Sequence, residues 1–322
     1  MTLTIEDSST ADKSWNNRLI LAQGTIFQTP QYFSFVKEAF DWKPTFIKFL
    51  DPKGEIIGQI ALAIRPRFSK SSLKRILSKV PSFKSEVYQW VYGPVVFQDG
   101  FSKEICTEFY NYLRTKKCRV NGSEFPLANN FLSCFKQPFQ KVKWATLLID
   151  LSKDLDEIWK QIDNHSGRKN IKRSQERGVV IKEINEKNLQ YYYEILRKTK
   201  SDLNQDVEFS TVKILWEKLH PIGLEGFLAF YDDEPIGGII ISAFNNYINE
   251  WGVARSPIDR KNNLYSQDLL KWAIIKWGNE TKKNYYDLSG VNPHPKNEKE
   301  RGILRFKKKW GGKLYEYNRI IS

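Results

Sequence analysis

The densest chemistry in the sequence is the segment Arg301-Gly302-Ile303-Leu304-Arg305-Phe306-Lys307-Lys308-Lys309-Trp310-Gly311-Gly312. Five cations fall within nine residues there, with no acid among them. Ile303, Leu304 and Phe306 give the segment an apolar side that can be buried. The lysines cannot all follow it, so some must face solvent or an anion. A second basic stretch lies upstream, Arg168-Lys169-Asn170-Ile171-Lys172-Arg173-Ser174-Gln175-Glu176-Arg177-Gly178. Read as a helix, it stacks Lys169, Arg173 and Arg177 one turn apart, with Arg168 and Lys172 beside them and Gly178 as a stop. Such stripes suit phosphates, although alternating cations on a helix also describe an ordinary solvated face. The sequence offers no covalent nucleophile: there is no G-x-S-x-G, and no cysteine with a plausible histidine partner.

As a frame for these groups, a chain of 322 residues with 41% hydrophobic and 14% aromatic residues suits two domains with sizeable cores. The net charge is +14. Residues 1–150 carry 21 Lys/Arg against 13 Asp/Glu, and residues 151–322 carry 30 against 24, so both halves are basic. That favours an anionic partner: RNA, a nucleotide, a phosphorylated substrate or a membrane surface. Lysine-rich solubility is the plainer alternative for the bulk charge. Cys106, Cys118 and Cys134 are odd in number and lack C-x-x-C spacing, which argues against a disulfide framework and against zinc. His165, His220 and His294 form no metal pattern. No apolar run is long enough to span a membrane, and the polar, acidic start is unlike a signal peptide, so a reduced cytoplasmic setting is the default expectation.

Residues 1–14 read as a polar lead, and 26–29 as a strand end before a turn at Pro30. A buried helix is predicted over 31–40, strands over 45–50 and 55–64, a basic Ser-rich stretch over 65–84, and a strand over 87–97 bent at Gly93-Pro94. An amphipathic helix follows over 102–115 and a strand over 144–149. The second half repeats this order: helices, then strands at 179–184, 226–231, 236–244 and 247–254. Next comes a helix capped by Ser266 and ended by Gly278, a short strand at 285–288 and a last strand at 313–321. Glu55-Ile56-Ile57-Gly58-Gln59-Ile60-Ala61-Leu62 lines up with Glu234-Pro235-Ile236-Gly237-Gly238-Ile239-Ile240-Ile241, each after an Asp-containing turn. With the shared element order, this indicates two copies of one mixed α/β unit, with a border near Asp150.

The order Trp159, Arg168 to Gly178, Tyr286-Asp287-Leu288-Ser289-Gly290, then Arg305-Phe306-Lys307 to Gly311-Gly312 resembles the FemABX family. These are aminoacyl-tRNA-dependent peptidyltransferases that extend cell-wall precursor peptides, within the GNAT acyltransferase superfamily. The resemblance is motif-level in the second half and looser in the first. It implies tandem GNAT-like acyltransferase domains: an N-terminal one over 1–150, completed by 313–322 crossing back, and a C-terminal one over 151–312. It also implies attack of an amine on an acyl ester, with aminoacyl-tRNA as co-substrate and no further cofactor. That requires a neutral amine, a stabilised oxyanion and two substrates held in register. No inserted heptads for a coiled-coil arm are visible, so the chain resembles the armless type.

Lys307 aligns with the lysine of the family's Phe-Lys pair, where a cation stabilises the oxyanion and Phe306 packs beside it. By sequence alone Lys307 is also one lysine of three on a solvated face. Arg168, Lys169, Lys172 and Arg173 fit phosphates of the donor or the acceptor, and Arg305 belongs to the same basic set. Lys37 sits where the family places a lysine for the acceptor's anionic group, and Arg65 and Arg67, flanking Pro66, can serve similarly. Asp287 either takes the amine's proton or caps the following turn. Family members often carry Arg before the Gly-Pro matching Gly93-Pro94; Tyr92 stands here, which puts one acceptor contact in doubt. CoA-dependent relatives bind pyrophosphate on a Gly-rich loop after the fourth strand, and the equivalent here, Arg260-Lys261-Asn262-Asn263-Leu264-Tyr265-Ser266, has no glycine. Arg260 and Lys261 can still meet a phosphate.

The expectation is an aminoacyltransferase acting from charged tRNA on a UDP- or lipid-linked peptidoglycan precursor or similar acceptor, in the cytoplasm or at the inner face of the membrane. One rival is an acyl-CoA-dependent N-acyltransferase for a sugar nucleotide or polysaccharide unit. The other is a catalytically inactive basic protein that binds RNA or a membrane surface.

Overall fold

The computed structural model describes residues 3–66, 86–98, 100–116, 118–128, 130–201 and 205–322. Arg67 and most of the basic stretch expected up to Lys84 lie outside them. In chain order the elements are β1 (Thr4–Ser8), α1 (Trp15–Leu21), α2 (Pro30–Phe40), β2 (Lys43–Leu50), β3 (Ile56–Pro66), β4 (Glu86–Gln89), β5 (Val95–Val96), α3 (Ser102–Thr115), β6 (Arg119–Ser123) and β7 (Gln140–Asp150). There follow α4 (Leu155–Gln161), α5 (Lys169–Glu176), β8 (Val180–Glu183), α6 (Leu189–Ser201), α7 (Phe209–Leu219), β9 (Leu224–Tyr231), β10 (Glu234–Ser242) and β11 (Tyr247–Arg255). The chain continues with α8 (Pro257–Lys261), α9 (Ser266–Glu280), β12 (Tyr285–Val291), α10 (Glu298–Lys308) and β13 (Lys313–Ile321). Two compact units result, Met1–Trp144 with Glu316–Ser322, and Ala145–Tyr315.

In the first unit the strand order is β1-β2-β3-β4-β6-β13, with β5 on β3. Every neighbouring pair is antiparallel except β4–β6, which is parallel. In the second unit the order is β8-β9-β10-β11-β12-β7, again antiparallel throughout except for β11–β12. The first five strands of the two units therefore share one topology, while the sixth is the last strand of the chain in one and precedes the other five in the other. The stretches matched in sequence, 55–62 and 234–241, fall on β3 and β10, each third from its sheet edge.

Pro30 starts α2, and Thr29 caps it by accepting from Tyr32 N at 3.2 Å. Ile47, Phe49, Ile60 and Leu62 face Ile105, Phe109 and Leu113 of α3 in the first core. Trp90 shares that core and lies against Gly122 of β6, where an added Cβ would sit 1.9 Å from the indole. Gly122→Ala is therefore expected to lower stability by about 1–3 kcal/mol through overpacking, read as a lower denaturant midpoint at unchanged slope.

Four expectations are corrected. Within the polar lead expected over 1–14, residues 4–8 form an edge strand, because Ile5 pairs with Phe49 and Leu3 is buried. Residues 26–28 form a 3-10 turn rather than a strand end, with Ile26, Phe27 and Gln28 all buried. Cys106 and Cys134 form a disulfide, because α3 and the turn at Phe131–Cys134 pack together across 28 residues of sequence. Spacing alone carries no signal of that approach. Gly278 does not end its helix: α9 continues to Glu280, and Gly278 lets Ile248 and Leu151 approach to within 2.7 Å of where a Cβ would stand. Ser266 is the first residue of that helix, after Tyr265 in the left-handed conformation.

Candidate functional site

The second unit holds most of the chemistry. Its α10 begins sharply because Asn297 accepts from Glu300 N at 2.9 Å. It ends at Lys308, and Gly311 turns the chain away beyond it: a φ of 75° and close approach to Gln161, 2.6 Å from an added Cβ, leave no room for a side chain there. The expected apolar side of this segment is not buried. Ile303 and Phe306 are 41% and 37% exposed, and of the named trio only Leu304 packs against the core.

The three lysines separate by environment. Lys308 is exposed, whereas Lys307 and Lys309 are half-buried. The Lys307 ammonium donates to Ser289 O at 2.9 Å and Gly290 O at 3.2 Å. An ammonium has three N–H groups, and two bonds to acceptors among the described residues leave one for a further acceptor. Burial lowers the Lys307 pKa to about 8, against the opposing pull of Glu250 and Asp287, with Lys271 adding to the lowering. Lys309 forms a buried ion pair with Asp268 and donates to Ser166 O at 3.1 Å. Burial lowers the Lys309 pKa and raises that of Asp268, each opposed by the partner's charge. The Phe306 ring lies 4.2 Å from Lys309 Nζ and 5.7 Å from Lys271 Nζ, an arrangement favoured by the ring's quadrupole.

Asp287 is fully buried on β12. Its carboxylate receives Tyr247 Oη at 2.7 Å, Asn249 Nδ2 at 2.9 Å and Ser289 N at 2.8 Å, and it also meets Thr146 Oγ1. These bonds fix the bulge between Asp287 and Gly290, in which Ser289 takes a φ of 65°. The carbonyls that hold Lys307 come from that bulge. Next to it, Glu250 and Lys271 form a buried ion pair, and Tyr286 Oη donates to Glu250 Oε2 at 2.7 Å. Burial, followed by the Glu250 charge and this hydrogen bond, raises the Tyr286 phenol pKa.

The basic stretch is a π-turn at Asn164–Arg168 continued by α5. Arg168, Lys169 and Lys172 line one cavity of about 300 Å3 together with Trp159, Asn164 and His165. Arg168 Nε is buried there without a hydrogen-bond partner among the described residues. Arg173, half-buried, does not line it. Arg177 is used internally: it donates to Asn262 O at 3.2 Å, meets Asn263 O, and stacks on Tyr265 at 5.5 Å. Lys307 is not part of this cavity; Lys309 links the two regions, its carbonyl accepting from Asp163 N at 2.7 Å.

Arg260 is exposed on α8 and Arg305 is exposed on α10. At the start of α9, Ser266 N donates to Asp259 Oδ1 at 2.8 Å, and Asp259 is fully buried beside Arg255. That helix N-terminus already holds a carboxylate. Lys37 and Arg65 belong to the first unit. Lys37 is exposed in the last turn of α2. Arg65 donates to Gln89 Oε1 at 2.6 Å and lies over Trp42 at 5.7 Å.

Sequence reasoning did not single out Lys271, Glu250, Tyr286 or Lys309. A signal for the first two exists: each is a lone charge inside a largely apolar run, Leu269–Ile275 and Tyr247–Ala254. No described helix is long and apolar enough to cross a membrane.

No protein-family model matches the sequence, and no curated protein sequence matches it. Solved structures do match. FemX aligns over 97% of this chain and 96% of its own, at 14% identity and a TM-score of 0.72. The C-terminal domain of a putative lysylphosphatidylglycerol synthetase from Agrobacterium fabrum aligns over 95% and 91%, at 11% identity and a TM-score of 0.59. A tandem GNAT protein from the clavulanic acid biosynthesis pathway aligns over 99% and 97%, at 10% identity and a TM-score of 0.54. With its doubled topology and these matches along nearly the whole chain, the protein has the tandem-GNAT fold that FemX also has.

Proposed function

We propose that this protein is an acyltransferase that moves an aminoacyl group from a charged tRNA to an amine on a peptidoglycan-precursor peptide or a related acceptor. The observation that carries this reading is Lys307: a half-buried ammonium, anchored by two carbonyls, with one N–H left to meet an oxygen that gains charge. In the reaction the amine nitrogen bonds to the acyl carbon and the ester C–O bond breaks. The ribose oxygen leaves and takes up a proton, and the amine gives one up. Lys307 stabilises the oxyanion between those events, and Phe306 forms part of the same surface. Asp287, with its oxygens engaged by four groups, positions the Ser289–Gly290 carbonyls rather than accepting the amine's proton. Arg168, Lys169 and Lys172 hold phosphates of the donor in their shared cavity.

The choice of tRNA over CoA is supported by Asp259. A pyrophosphate seated at the N-terminus of α9 would meet a buried carboxylate already bonded to Ser266 N. A glycine-free loop precedes it.

The test supplies the purified chain with UDP-linked muropeptide and either a pool of charged tRNAs or acetyl-CoA, and follows acceptor mass with and without ribonuclease. A gain of one aminoacyl residue that ribonuclease abolishes is the expected result. A gain that survives ribonuclease and needs CoA overturns the donor assignment. No gain, with salt-sensitive RNA binding, overturns the enzymatic reading. Likeness to a protein described as a lysylphosphatidylglycerol synthetase makes phosphatidylglycerol the second acceptor to include.

A further inference from the structure

The first unit has a basic cavity that the acyl-transfer chemistry does not use. It measures about 300 Å3 and is lined by Arg65, Arg119 and Arg319 with Val87, Asn121 and Ile321 among its walls. The three arginines come from β3, β6 and β13, far apart in sequence. Strand register brings them together. Arg65 pairs with Val87, Val87 with Arg119, and Arg319 with Ser123, two residues along β6 from Asn121. Alternation then puts all three on one face of the sheet, while Val120 and Ile320 point into the core on the other.

Two of the three guanidiniums are held in place. Arg65 is fixed by Gln89 at 2.6 Å and by Trp42. Arg319 donates to Asn121 Oδ1 at 3.3 Å and lies over Trp144 at 5.2 Å. All three are half-buried, and none forms an ion pair with a carboxylate among the described residues. No Asp or Glu side chain lines the cavity, whose walls also include Val120 and Ser322. Three like charges around one space, two of them fixed, repel each other unless an anion sits between them, and forked guanidiniums match phosphate oxygens better than point charges do.

We propose that Arg65, Arg119 and Arg319 form a phosphate-binding subsite in the first unit, which takes the phosphoryl group of a phosphate monoester or diphosphate. The volume admits such a group with a small substituent. The phosphate comes either from a soluble nucleoside diphosphate or from a lipid headgroup, and the chemistry at the arginines is the same. The subsite stands on this geometry and does not depend on the nature of the acyl donor.

The experiment titrates pyrophosphate into the full chain by calorimetry, in a Lys169→Gln/Lys172→Gln background that removes competing cations in the second unit. Saturable binding is expected. Arg119→Gln and Arg319→Gln are each expected to weaken it about tenfold or more, as for loss of one charged hydrogen-bond donor. Arg119→Lys, which keeps the charge but not the fork, guards against misfolding and weakens it less. Tighter binding of UDP than of pyrophosphate assigns a soluble nucleotide. Arginine-dependent sedimentation with phosphatidylglycerol-containing vesicles assigns a headgroup. Absence of saturable binding, or binding that the Arg119 and Arg319 variants leave unchanged in chains with wild-type circular dichroism, overturns the proposal.

Discussion

Lys307→Met is expected to lower the single-turnover rate of aminoacyl transfer by about 100- to 1,000-fold, the loss typical when one transition-state donor is removed from a water-poor site. Donor binding is expected to stay within roughly threefold, because the interaction is made in the transition state. Rapid-quench kinetics with charged tRNA reads both quantities. The pH profile adds a sign. Lys307 must carry its proton to donate, and burial brings its pKa to about 8. The wild-type rate should therefore fall as pH rises through about 8, whereas a neutral lysine acting as base would give a rate that rises there. Stability follows the same linkage in the other sense. The folded pKa is depressed from 10.5 to about 8, so the unfolded chain holds more protons between those values and stability increases with pH across that window. At pH 7 the charged side chain is a burden on the fold, so Lys307→Met should not lower the denaturant midpoint. A slow variant with an intact midpoint separates a catalytic role from a structural one, and an unchanged rate would discard the role assigned to Lys307.

Lys271→Met is expected to be the most damaging single change to the second unit, costing about 3–5 kcal/mol. Lys271 and Glu250 are both buried, and Tyr286 Oη already bonds to Glu250 Oε2 at 2.7 Å. Removing the ammonium leaves a buried carboxylate without its direct ion-pair partner, with only the weaker pull of Lys307 opposing its charge. The double variant Lys271→Met/Glu250→Gln leaves no charge behind, and the glutamine amide oxygen can still accept from Tyr286. It should recover most of the loss. Urea denaturation of the three proteins decides the matter: a loss below about 1 kcal/mol in the single variant would mean that water reaches this pair.

Periodicity and turn chemistry made the repeated order of strands legible. The β2–β3 and β9–β10 hairpins announce themselves by apolar runs around Asp51-Pro52-Lys53-Gly54 and Asp232-Asp233-Glu234-Pro235. The α3 and β13 boundaries follow from amphipathic spacing and from Gly311-Gly312. Long-range approach was not legible. Nothing local to Cys106 or Cys134 says that α3 meets the turn at Phe131–Cys134, and nothing local to Arg119 or Arg319 says that they share a cavity with Arg65. Among the three lysines, sequence singled out Lys307 only through family resemblance. Burial now distinguishes it from exposed Lys308, and the Asp268 pair distinguishes Lys309. The Glu250–Lys271 pair was hidden because strand and helix patterning treats a lone charge as noise, whereas two such charges can meet across elements.

The placement of β13 has a consequence for synthesis. The first unit takes Glu316–Ser322 into its sheet, where Ile320 pairs with Gly122 of β6. A ribosome must therefore deliver every residue of the second unit before the first can close. Until then β6 offers the nascent polypeptide a bare hydrogen-bonding edge. Emergence order thus favours early completion of the later-encoded unit, and a message truncated after Gly312 would yield an open, self-associating product rather than half an enzyme.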